Sequence, residues 1–88
     1  MIRAIYRYVV DVDDQWHAHD LTGPVVHVAT RHPDVVEFWA VHTEGAAVVE
    51  RRFRVYGTGQ PITEPSRHVG TVLAAGGALV WHLMEGKP

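Results

Sequence analysis

The tightest constraint on the fold is the alternation that opens the chain. From Ile2 to Val12 the even positions carry Ile2, Ala4, Tyr6, Tyr8, Val10 and Val12, while the odd ones include Arg3, Arg7 and Asp11. A period of two puts these sets on opposite faces of an extended chain, which predicts a half-buried strand. Val35 to Thr43 repeats the pattern, with Val36, Phe38 and Ala40 opposed to Val35, Glu37, Trp39 and Val41. Val48 to Tyr56 does so again: Glu50, Arg52 and Arg54 share one face, and Phe53 and Val55 share the face expected in the core. Fifteen valines against four leucines bias the composition the same way.

Turn residues divide the chain. Asp13-Asp14 ends the first strand, because both side chains bond readily to nearby backbone. Gln15 to Asp20 reads as a short return strand, with Trp16 and Ala18 on one face and His17 and His19 on the other. After Leu21-Thr22-Gly23-Pro24, the run Val25 to Thr30 is apolar on both faces and predicts a central strand covered from both sides. His32-Pro33-Asp34 forces a turn. Glu44 to Ala47 predicts a hairpin connection into the Val48 to Tyr56 strand, and Ile62 to Ser66 an ordered loop. Val69 to Ala74 and Ala78 to Met84 form a second hairpin across Ala75-Gly76-Gly77, followed by a short tail, Glu85 to Pro88. The expectation is one all-β domain over residues 1–88, a small antiparallel sandwich or a partly open barrel of six to seven strands.

A chain of 88 residues buries only about 60 to 65% of the surface its unfolded form exposes. It has no cysteine, so no disulfide or thiolate metal site adds to that margin, and a homo-oligomer is the expected remedy. The net charge of −2 argues against a nucleic-acid track or an anionic membrane as partner. Met1 to Val12 lacks the apolar core of a secretory signal, and no apolar run approaches the roughly 18 to 20 residues of a membrane helix, so an intracellular protein is expected.

The segment with the clearest chemistry is Arg52 to Gln60. Gly57 and Gly59 allow a sharp turn that offers consecutive N–H groups, with the Thr58 hydroxyl alongside. Arg52 and Arg54, just upstream, supply forked donors. Arg52, Arg54, Gly57, Thr58, Gly59 and Gln60 are therefore the candidate ligand-binding residues, for an anionic small molecule. The same Gly-Thr-Gly would serve a bulge or a tight turn with no ligand.

Other constellations are thinner. His17 and His19 point to one side of a strand near Asp13, Asp14 and Asp20, but no further pair completes a metal site, and no metal or cofactor is expected. Ser66, the single serine, lies two residues before His68 without a nucleophile elbow, and no catalytic residue is assigned. His42 and His82 are read as pocket or core-edge residues, Trp39 and Trp81 as core, and Trp16 as an exposed aromatic anchor.

The run Arg52-Phe53-Arg54-Val55-Tyr56-Gly57-Thr58-Gly59-Gln60-Pro61-Ile62, then His68-Val69-Gly70-Thr71 and Gly77-Ala78-Leu79-Val80-Trp81-His82-Leu83-Met84-Glu85, resembles a small family of uncharacterised proteins encoded by tailed bacteriophages. The resemblance spans nearly the whole chain, with Gln60 where that family usually carries histidine. It implies a phage accessory protein in the cytoplasm of the infected host cell. The expected function is non-enzymatic: binding a host small molecule, such as an anionic nucleotide signal, or a host protein, to counter host defence. The alternative is a virion or assembly component without a small-molecule ligand.

Overall fold

The computed structural model describes residues 1–88 as seven strands in two antiparallel sheets. The strands are β1 (Arg3–Asp11), β2 (His17–Leu21), β3 (Val25–His32), β4 (Val35–Thr43), β5 (Val49–Gly57), β6 (Ser66–Ala74) and β7 (Leu79–Gly86). One sheet has the order β1-β4-β3 and the other β2-β5-β7-β6, so the fold is an all-β sandwich and not a closed barrel. Alternation selects the buried faces. Val10 on β1, Val36, Phe38 and Ala40 on β4, and Phe53 and Val55 on β5 are all buried between the sheets, with Val72 and Leu83 from the last hairpin. Phe38 and Phe53 meet across the layers with ring centroids 4.6 Å apart, and Tyr8 stacks on Phe38 at 5.0 Å.

Topology differs from the sequence expectation at four places. Glu44 to Ala47 is not a hairpin connection, because β4 is already flanked by β1 and β3 and has no free edge for β5. The chain crosses instead to the second layer, where Phe53 can face Phe38. Gln15 to Asp20 is not a return strand beside β1: β2 pairs with β5, with His17 opposite Phe53 and Leu21 opposite Val49. An Asx turn redirects it, the Gln15 N–H donating to Asp13 Oδ1 at 3.0 Å beside Asp14, whose φ is +60°. The Val25 to Thr30 run is an edge strand and not a covered central one. Register shifts at Val25/His27 and Ala29/His32 break its alternation, and Val26 and His27 stay exposed. Finally, Glu85 and Gly86 extend β7 instead of forming a tail.

The long sides of the sandwich are closed unequally. At one, β6 lies so near β3 that a Cβ on Gly70 would sit 2.7 Å from Val28 Cγ2, inside any tolerable contact. At the other, the His19 imidazole bridges the layers, hydrogen-bonded to the Val9 carbonyl at 3.0 Å. Trp81 packs on the core and donates from Nε1 to the Pro33 carbonyl at 2.9 Å. Trp39, expected in the core, is on the outer face of β4 against His27, because it shares its parity with Glu37 and not with Phe38.

Candidate functional site

Strand β5 ends in a four-residue turn, Gly57-Thr58-Gly59-Gln60, closed by the Gln60 N–H donating to the Gly57 carbonyl at 3.1 Å. Gly59 has φ +86°, the left-handed conformation that the third position of a type II turn requires. The Gln60 side chain locks the turn from outside. Its Oε1 accepts from the Gly57 N–H at 3.0 Å, and its Nε2 donates to Asp14 Oδ1 at 3.0 Å. Two of the four corner amides are thus committed within the turn, and those of Thr58 and Gly59 have no protein partner.

Against the turn lies a chain of hydroxyls and imidazoles built by the β6–β7 hairpin. Thr71 stands opposite His82 in the register, and His68, one register shift away, is opposite Met84. The Thr58 hydroxyl is 2.8 Å from His82 Nε2, His82 Nδ1 is 2.9 Å from the Thr71 hydroxyl, and that hydroxyl is 2.8 Å from His68 Nε2. A neutral imidazole donates from one nitrogen and accepts at the other, so the four groups can be ordered in either direction. These residues frame an open cavity of about 320 Å³ lined by Tyr56, Gly57 to Gln60, Ile62, His68, His82 and Met84.

The floor of this face is unusual in its hydrogen bonding. Tyr56 is 2% exposed, covered edge-on by Trp16 and capped by the Arg54 guanidinium 4.7 Å above its ring. Its hydroxyl has no partner in the protein, nor do the neighbouring Trp16 Nε1 and Arg54 Nε. Leaving a buried polar atom unpaired costs about 1 to 3 kcal/mol, so three in one patch is an expensive arrangement for packing alone.

The structure separates the two arginines expected at the corner. Arg54 approaches it indirectly, with Nη2 3.8 Å from the Asp14 carboxylate that also holds Gln60. Arg52 stacks on Trp16 at 5.1 Å and donates to the Lys87 carbonyl, and it lines a different cavity with Arg51 and Glu85. Trp16 is therefore sandwiched side chain and not an exposed anchor. Tyr56, Thr71, His68, His82 and Asp14 complete the site, and only the hairpin register, which sets Thr71 beside His82, would have joined them from sequence.

The remaining candidates are engaged elsewhere. His17 bonds to Asp13 at 2.8 Å, which holds that carboxyl below its ordinary range, while His19 serves the Val9 carbonyl. His42 stacks on Tyr6 at 4.8 Å and meets the Thr22 hydroxyl. Ser66 donates to the Glu64 carbonyl, and no hydrogen bond joins it to His68, which meets the Thr71 hydroxyl.

A family model described as a domain of unknown function, DUF7352, matches residues 1–88. The chain belongs to this family. No curated protein and no solved structure matches it. No helix is long and apolar enough to cross a membrane.

Proposed function

We propose that this member of the DUF7352 family is a binding module that carries out no reaction, and that it takes a small anionic molecule at the corner. The observation that supports this most is Tyr56, which lines the cavity and whose hydroxyl is buried without a partner, beside Thr58 and Gly59, whose amides are also unpartnered. Amides, hydroxyls and imidazole N–H groups are all donors to an anion, and the two amides need no charged side chain to act. Thr58 and His82 then orient the ligand, with Thr71 holding the His82 ring. Arg54 acts at longer range, through Asp14 and Gln60, and Arg52 braces Trp16 against Tyr56.

The resemblance to phage-encoded proteins supports a setting for this activity: an accessory protein in the infected cell that sequesters a host nucleotide signal. Thermal melts with inorganic phosphate, mononucleotides and cyclic dinucleotides test the site, followed by native mass spectrometry. At least one of these anions is expected to raise the melting temperature, and the rise should vanish in Tyr56→Phe and in His82→Ala. A rise that survives both substitutions, or no rise with any probe, overturns the reading. The alternative assembly role without a small-molecule ligand gains from a different surface, the exposed row along β1.

A further inference from the structure

The outer edge of β1 has a symmetry that the rest of the molecule does not use. Ile2 and Val12 bond to the β4 side, through Glu44 N–H to the Ile2 carbonyl and Val12 N–H to the Asp34 carbonyl. In an antiparallel ladder alternate residues face the neighbour, so the even residues of β1 bond to β4. The N–H and C=O groups of Arg3, Ile5, Arg7, Val9 and Asp11 therefore point away from β4, toward the open edge. The His19 imidazole on the Val9 carbonyl confirms that direction. The edge is nine residues long, without proline or bulge, and Ile5 and Val9 on it are 61% and 46% exposed. Such an edge ordinarily carries protection against pairing.

We infer that β1 is a homodimer interface, pairing antiparallel with β1 of a second copy about a two-fold axis at Arg7, so that the two three-stranded sheets become one of six strands. The axis sets Arg3 opposite Asp11, Ile5 opposite Val9 and Arg7 opposite itself. Every residue in those pairs is one whose backbone groups face the edge, so the register uses all the free donors and acceptors. The Val9 oxygen keeps a second lone pair beside His19 for the new ladder.

The side chains agree with the same register. Arg3 and Asp11 are exposed and form no ion pair within the chain, and the axis makes two such pairs between copies. Ile5 and Val9 cover each other on the outer face. The self-pairing of Arg7 is tolerable because Glu37 on β4 draws its guanidinium inward, with Nη1 2.7 Å from Oε2. A one-residue slip would pair Arg3 with Val10 or Val12, setting edge-facing backbone groups opposite residues whose own groups are bonded to β4, so that ladder cannot form. A strand from another protein would find the backbone edge but not the reciprocal charges, which favours a second copy.

Sedimentation equilibrium of the full chain across a concentration series, with charge swaps, tests the interface. The wild-type mass should rise toward twice 9.8 kDa. Arg3→Asp alone and Asp11→Arg alone should each weaken the dimer about tenfold, since each replaces two attractive cross-strand pairs by two repulsive ones. The double swap Arg3→Asp with Asp11→Arg should restore it. Hydrogen exchange gives an independent reading: the Ile5, Arg7 and Val9 amides should be protected only at dimeric concentrations. A monomer at every concentration overturns the proposal, as does a dimer indifferent to the single swaps or one that the double swap fails to rescue.

Discussion

The outer faces of the two sheets solve the same problem in opposite ways. On the three-stranded sheet, Glu37 is buried beneath two arginines: Arg31 bonds it through Nε and Nη2 at 2.8 and 2.7 Å, and Arg7 through Nη1 at 2.7 Å. Both carboxylate oxygens are satisfied, and the arginines reach water. On the four-stranded sheet, Trp16 and Arg54 both cover Tyr56 yet leave three polar atoms unpaired. A satisfied network beneath a wet rim is what a structural face requires, whereas buried donors left unpaired cost stability without a packing return. Ion pairing therefore closes the first face, and missing hydrogen bonds mark the second as the candidate site.

Glu37 carries the largest expected effect. Glu37→Gln removes the charge that two arginines share and should lower stability by about 2 kcal/mol at neutral pH in urea denaturation, a figure moderated by the exposure of both arginines. The pH dependence follows from the same contacts. Bonding to Arg31 first, and then to Arg7, holds the Glu37 carboxyl down to about 2 from an ordinary 4.5, against the opposing effect of burial. A depressed acid contributes stability that is complete above its unfolded value and is lost as the pH falls through the folded one. The wild type should thus lose stability progressively between pH 4.5 and about 2, and Glu37→Gln should show a flatter acid limb over that window.

Tyr56→Phe sharpens the contrast from the other side. Deleting a hydroxyl that has no partner should raise stability by about 1 kcal/mol while abolishing the ligand-dependent shift, a combination that a purely structural tyrosine would not give. A fall in stability would show that the hydroxyl is satisfied in solution and would remove the distinction between the faces. The smallest effect belongs to a control outside both faces. Ala75 has φ +52° in the turn between β6 and β7, where an L side chain is strained, so Ala75→Gly should stabilise by about 0.5 kcal/mol and leave binding unchanged.

Much of the secondary structure was legible because parity alone decides which residues of a half-buried strand turn inward. The burial of Phe38, Phe53 and Val55 follows from it, as does the turn at Gly59, whose positive φ suits no other common residue as well. The corner was visible both as a turn and as a candidate site, but the side chains gathered around it were not. Its partners His82, Thr71 and Asp14 lie 22, 11 and 46 positions from Gln60, and their approach depends on which strands share a layer.

What the sequence determined by itself was the class and the two-sidedness of the strands, since these are set by side-chain order along one extended chain. Only the tertiary structure decided that β4 and β5 face each other across the core instead of pairing, that Val25 to His32 is an edge, and that Arg52 and Arg54 separate. Each of these depends on which hydrogen-bonding edges are already occupied when a strand arrives. Edge occupancy is a property of the assembled sheets, and no local pattern of residues encodes it.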